Sequence, residues 1–263
     1  MPLVQRILFY IPEIPLCIIM VFLAVAFSMI GLLIVWRFVP RQMLKEHNDL
    51  TSGIFEAIAM AYTVLLAFVV VISWQNFDKA ETHSITEANC LVDLYKSSAA
   101  FAQPFQNDIH SLVKEYVDVV INEEWISLGR GEESVKARTI LGNIWDLYTG
   151  YEPKTRKEEI FLAESLRKLD DLREMRRLRI IDSGTDVHPV LWFVLIVGAI
   201  TTIIFTFFFG SDKFMTHAIM ASTLSATIAL ILFTILSFSF PFTGSVRVEP
   251  KAFQQVLEFL KIV

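Results

Sequence analysis

Four stretches of the chain, residues 14–36, 57–74, 189–210 and 214–240, carry apolar side chains almost without interruption, and His217 is the one residue in them able to carry a charge. A helix rises about 1.5 Å per residue, so about 20 such residues cross a hydrocarbon core about 30 Å thick. Helices that are apolar on every face do not suit water, and the pattern predicts four transmembrane helices. The first stretch is too long for the apolar region of a cleaved signal peptide. Its basic flank, Arg37, Arg41 and Lys45, follows it, and no small-residue cleavage site is evident, so it is expected to persist as an anchor.

Between residues 75 and 187 the pattern changes to frequent charges with apolar residues at helical spacing, which predicts a separate soluble helical domain. Ile85, Ala88, Val92, Tyr95, Ala99 and Ala102 form one stripe of a helix continuing out of the second span, with Pro104 ending or kinking it. A second stripe, Ile109, Leu112, Tyr116 and Val120, runs on to Trp125 before a turn at Gly129 and Gly131. A shorter helix over residues 135–148 carries Leu141, Ile144 and Leu147. The last soluble helix is expected from Pro153, with Leu162, Leu166, Leu169 and Leu172 leading to a basic run, Arg173, Arg176, Arg177 and Arg179. After the fourth span come the turn Pro241-Phe242-Thr243-Gly244, a short β-like segment over residues 245–248, and a terminal helix from Pro250 with Phe253, Leu257 and Leu260 on one face.

The expected fold class is therefore an all-α membrane protein: four transmembrane helices, an antiparallel helical bundle inserted between the second and third, and a short amphipathic C-terminal helix. Its divisions are residues 1–74 (N-terminal segment and spans one and two), 75–187 (soluble domain), 188–240 (spans three and four) and 241–263 (tail). The 54% hydrophobic composition and mean hydropathy of +0.52 fit that class. A net charge of −5 offers no basic surface for phosphate backbones, which argues against nucleic acid as a partner. Cys17 lies in a span and Cys90 in the soluble region, so two free thiols are expected.

Zinc, acyl-transfer and phosphate-cradling signatures such as His-Glu-x-x-His, Gly-x-Ser-x-Gly and Gly-x-x-x-x-Gly-Lys-Ser/Thr are missing, so the chain does not read as an enzyme, and no cofactor or metal site is expected. A lipid-directed enzyme would need a headgroup-level cluster such as His47, Asp49 and Glu56. Glu56, Met60, Thr63, Ala67 and Val70 share one face of the second span. That face either lines an ion path or simply places Glu56 in a wet first helical turn. Thr223, Thr227 and Thr234 share a face of the fourth span, where hydroxyls either pack helices closely or offer oxygens to an ion. His217 is either a proton-sensitive group or an interfacial side chain. Arg173, Arg176, Arg177 and Arg179 either contact anionic lipid or anions, or pair with Asp170, Asp171 and Glu174 in water. Trp36, Trp74 and Trp192 fall at span ends and read as headgroup anchors.

Several segments recur in a known pattern: His47-Asn48-Asp49, the run Ala61-Tyr62-Thr63-Val64-Leu65-Leu66-Ala67-Phe68, Trp74, Glu87-Ala88, Leu94-Tyr95, Arg176-Arg177-Leu178-Arg179, His188-Pro189-Val190-Leu191-Trp192, and Pro241-Phe242-Thr243-Gly244 with Val248, Pro250 and Phe253. The chain resembles the bacterial bestrophin-like family of membrane proteins. That resemblance implies four membrane helices with a helical insert and a distant relation to bestrophins, which are pentameric anion channels. The acidic calcium clasp of bestrophins has no counterpart here.

The reading that results is an oligomeric, channel-like protein of the bacterial inner membrane, pentameric if bestrophin-like. The second span would face its axis, the lipid bilayer would be its partner, and the permeant ion is unspecified. The rival is a non-conducting scaffold whose helical domain binds a partner. Arg6, Lys79, Arg173, Arg176, Arg177, Arg179, Arg247 and Lys251 on one side outnumber Arg37, Arg41, Lys45 and Lys213 on the other, which favours a cytoplasmic soluble domain. The basic flank of the first span alone argues the opposite.

Overall fold

The structure is a computed structural model that describes residues 3–184 and 187–262. Among these residues it contains helices and no strand. The side chains of Arg6 and Arg41, which enter the charge comparison, lie outside the described residues. The helices are α1 (Leu3–Tyr10), α2 (Glu13–Phe38), α3 (Arg41–Glu46), α4 (Asn48–Ser97), α5 (Phe105–Val119), α6 (Trp125–Leu128), α7 (Val135–Thr149), α8 (Arg156–Ser183), α9 (Pro189–Thr206), α10 (Phe214–Phe238) and α11 (Lys251–Ile262). Four of them, α2, α4, α9 and α10, are long and apolar enough to cross a membrane.

The chain divides into two compact units. One holds α2, α3, α4 up to Gln75, α9 and α10; the other holds α1, α4 from Asn76, α5 to α8 and α11. We call these the apolar and polar units. The short helices α1 and α3 are not legible in the apolar pattern, and α1 belongs to the polar unit with α11.

In the apolar unit α10 packs along α2. Small side chains are buried on both helices: Ser28 on α2, and Ala218, Ala221, Ser225 and Ala229 on α10. Thr223 and Thr227 lie on a different, exposed face and Thr234 is half-buried. Their hydroxyls donate to carbonyls one turn back in the same helix, at 2.8–2.9 Å. The two tightest approaches involve glycine: a Cβ on Gly31 would lie 2.3 Å from the Phe207 ring, and one on Gly198 2.4 Å from the Tyr62 ring.

The polar unit is built on a core that includes Leu91, Leu94, Ile109, Val113, Tyr116, Val117, Ile144, Leu169, Leu172 and Phe253. Its first stripe is rotated from the expected one. Ile85 is 44% exposed and Ala99 is exposed, while Ala80, Ser84, Glu87, Ala88, Leu91, Leu94 and Ser98 face inward. The burial of Glu87 explains the shift, because a carboxylate cannot be read as core from hydrophobicity. The helix also stops before Pro104, at Ser97, and Pro104 instead caps α5. Residues 245–248, expected to be β-like, form no strand; the carbonyl of Pro241 accepts from Val248 N at 2.7 Å and folds the segment back as a loop. The α11 face read from the sequence, Phe253, Leu257 and Leu260, packs onto this core with Val256 beside it; Phe253, Val256 and Leu260 are buried and Leu257 partly so.

α8 begins at Arg156 and not at Pro153. Thr155 caps it by accepting from Glu158 N at 3.2 Å, which satisfies one free amide of the first turn, while Glu158 Oε2 reaches back to accept from Lys154 N, just before the cap, at 2.7 Å. Thr155→Ala is expected to lower stability of the polar unit by about 1 kcal/mol, read as a small drop in denaturation midpoint with Thr155→Ser close to wild type.

Candidate functional site

In the apolar unit α4 has two contrasting faces. Tyr62, Leu66, Val69 and Ser73 are buried at steps of four, three and four. Glu56, Met60, Thr63 and Ala67 repeat the same steps and are all exposed, Met60 at 72%. A membrane helix whose exposed face carries a carboxylate and a threonine hydroxyl is unusual in lipid, where unpaired polar groups are disfavoured. Glu56 lies near the start of the apolar stretch, with Ser52 Oγ 3.5 Å from Oε1. Beside it, His47 Nδ1 is 2.8 Å from the Met43 carbonyl, and among the described residues no hydrogen bond joins His47, Asp49 and Glu56.

Asn48 of the recurrent His47-Asn48-Asp49 segment instead clamps the opposite turn. Its side chain donates to Gly210 O at 3.0 Å and accepts from Gly210 N at 2.8 Å. Lys45 pairs with Asp212 beside it. His217 is 6% exposed, with Nε2 2.8 Å from the Thr206 carbonyl, where the first turn of α10 tucks against the last turn of α9. Trp36, read as an anchor, packs edge-on against Phe214 at 4.9 Å.

The polar unit contains a buried charge network that hydropathy does not reveal. Arg179 is fully buried and donates from Nε to Glu87 Oε2 at 2.6 Å, and from one terminal nitrogen to Glu87 Oε1 at 3.0 Å and Glu124 Oε1 at 3.2 Å. Arg176 donates to Glu124 Oε2 at 3.2 Å and to the Ser134 carbonyl at 3.3 Å. Tyr116 donates to Glu87 Oε1 at 2.7 Å. Two carboxylates and two guanidinium groups balance in charge, which is the condition for burying any of them. Burial opposes the Arg179 charge, yet Glu87 and Glu124 outweigh it and hold its pKa above the usual arginine value. Burial and the two carboxylates together push the Tyr116 hydroxyl well up, so it remains a neutral donor. The Arg179 guanidinium also lies over the Trp125 and Phe253 rings, at 5.2 and 5.6 Å. Trp125 in turn donates to Val248 O at 3.0 Å and packs edge-on against Phe242 of the Pro241-Phe242-Thr243-Gly244 turn. Thr243 of that turn donates to Gly129 O at 2.9 Å, and Gly244 adopts φ +88°, a left-handed conformation that suits glycine.

This arrangement corrects the reading of the arginine run. Arg176 and Arg179 are buried ion-pair members, not lipid or anion contacts from bulk. Arg173 and Arg177 are exposed, with Arg173 stacked over Trp145 at 4.5 Å and 4.0 Å from Asp170. The signal for the split lies in the spacing: Leu169, Leu172, Arg176, Arg179 and Ser183 continue one three-four stripe, so the core face of α8 passes through two arginines. Tyr116 lies on the second stripe read from the sequence, whereas Glu87 and Glu124, which complete the network, are charged and so are not marked as core by hydrophobicity. Glu124 closes a single π-type turn, Val120–Glu124, which lets a carboxylate enter a face otherwise made of Val117 and Val120. Both cysteines are free; burial raises the Cys90 thiol to about 11, against the pull of Lys168, and leaves it unreactive.

The bestrophin-like domain model matches residues 22–253. No curated protein matches the chain. Among solved structures, a crystal structure of a point mutant of a bacterial bestrophin homologue from Klebsiella pneumoniae is similar at a TM-score of 0.69 and 15% identity, over 94% of this chain and 99% of that one. A second, described as a membrane protein, gives a TM-score of 0.66 at 14% identity over 93% and 97% of the two chains. Another mutant of the Klebsiella pneumoniae homologue gives 0.65 at 14% identity with the same coverage. At such identity the likeness concerns the fold, while the domain match covers most of the sequence: the chain belongs to the bestrophin-like family of membrane proteins.

Proposed function

We propose that this protein is an oligomeric ion channel of the bacterial inner membrane in which the four apolar helices span the bilayer. Copies of α4 surround a conduction path with Glu56, Met60, Thr63 and Ala67 toward it, and the polar unit lies on the cytoplasmic side. The observation that carries the reading is an exposed, partly polar face of α4 beside the packed one that holds Tyr62, Leu66 and Val69. A lone chain leaves that face to lipid, whereas a ring of copies turns it toward water and removes the mismatch. Membership in the bestrophin-like family and the Klebsiella pneumoniae homologue fold support the same reading. Thr223 and Thr227, on the exposed face of α10, and the half-buried Thr234 already bond within their own helix, and their hydroxyl oxygens retain capacity to accept from water.

Purified protein in liposomes is expected to form a closed ring, five-fold by analogy with bestrophins, and to pass small anions or monovalent cations. A folded, oligomeric preparation that passes neither overturns the proposal. Glu56→Gln is expected to raise the anion-to-cation permeability ratio, because it removes a negative charge from the path, and Thr63→Val to lower conductance, both measured by bi-ionic reversal potentials and flux.

A further inference from the structure

We propose that Tyr62 is the positioning residue that fixes the rotation of α4, by docking its ring in a slot on α9 that glycine at position 198 keeps open. The inference rests on the reading of the exposed α4 face as the ion path and adds what aims that face. Tyr62 is 6% exposed, and its hydroxyl donates to the Leu195 carbonyl at 2.9 Å. A Cβ on Gly198 would lie 2.4 Å from Cδ2 and 2.5 Å from Cε2 of the Tyr62 ring, so any larger residue there forces the ring out. Thr202 donates to Gly198 O at 2.8 Å and belongs to the same helical segment.

The contact is a peg in a slot with one polar bond at its tip. In an apolar surrounding that hydroxyl has no water to turn to, which favours the docked position over any other. Because successive residues on a helix are roughly 100° apart, the seat taken by Tyr62 dictates where the adjacent Thr63 points. Glu56, Met60 and Ala67 turn with it as one rigid face. Leu66 and Val69 share the buried side but are smooth aliphatic contacts that tolerate sliding, whereas the Tyr62 bond and the glycine slot admit one register. Asn48, clamped to Gly210, fixes the beginning of the helix; Tyr62 fixes it about four turns further on.

The test uses the full-length protein with Cys17→Ala and Cys90→Ala, bearing Thr63→Cys or Leu66→Cys with a nitroxide label, in liposomes. With Tyr62 present, the label at position 63 is expected to be mobile and the one at 66 immobilised. Tyr62→Phe, which keeps the ring and removes the bond, is expected to shift the ratio of docked to undocked populations by about five-fold, the ratio one ordinary hydrogen bond supports. Gly198→Ala is expected to shift it further, and ion flux measured in parallel is expected to change with both. If Gly198→Ala fails to assemble, Tyr62→Phe alone decides. Unchanged label mobilities in Tyr62→Phe overturn the inference whether or not the protein conducts. Altered mobilities in a protein that passes no ion leave the positioning role standing and overturn the channel reading instead.

Discussion

Arg179→Met is expected to destabilise the polar unit by about 3–5 kcal/mol, because it leaves Glu87 without its guanidinium partner and removes one of the two cations facing Glu124. For a domain of this size that corresponds to a fall in Tm of roughly 10 °C or more. The charge network is not needed for stability as such, since apolar side chains of similar volume often replace a buried ion pair without loss. The double variant Arg179→Met with Glu87→Met removes one charge of each sign and leaves Arg176 with Glu124. It is expected to recover most of the lost stability, apart from the Tyr116 hydroxyl, which loses its acceptor. Thermal unfolding of detergent-purified single and double variants checks this. A single variant with unchanged Tm, or a double variant no better than the single, sinks the account. What the network adds over an apolar core is one permitted register: it ties α4, α5, the π-type turn and α8 through bonds that a one-residue slip would break.

The second large effect is expected at the turn that joins α9 and α10. A Cβ at Gly210 would lie 2.5 Å from Lys45 N and 2.7 Å from Lys45 Cα, backbone atoms that cannot swing aside as a side chain can. Gly210→Ala is therefore expected to push the two turns apart and break both bonds to Asn48, lowering stability of the apolar unit by about 1–3 kcal/mol. Asn48→Ala leaves the Gly210 amide and carbonyl without their partner and is expected to act in the same range. Because both substitutions remove one shared contact, the double variant is expected to lose much less than the sum of the two. Detergent melting curves and the fraction of intact oligomer on size exclusion measure it. Strict additivity would show that the Asn48–Gly210 clamp is not the shared unit.

The exposed α4 face was legible because it needed only position counting: Glu56, Met60, Thr63 and Ala67 fall at steps of four, three and four, and helical geometry does the rest. The recurrent segments of the family were legible as patterns, but what they do was not. Tyr62 reads as one more aromatic in a greasy run until Gly198, far along the chain, is seen to face it. Neither Glu87 nor the two buried arginines of the Arg176-Arg177-Leu178-Arg179 run can be read as core, because single-residue hydrophobicity assigns every charge to water. The helix phase of α4 beyond Trp74 differs from the apolar pattern for the same reason, since its inward face includes Ser84 and Glu87.

By itself the sequence determined the class of protein and the presence of four greasy stretches. Those follow from the free energy of placing apolar side chains against lipid, a sum over neighbouring residues that needs no knowledge of distant ones. Only the tertiary structure decided which charges are buried, which tyrosine is a peg and which glycines are slots. Each of these depends on a complementary group brought from elsewhere in the chain, and the desolvation that makes such pairs decisive arises only once both partners have left water.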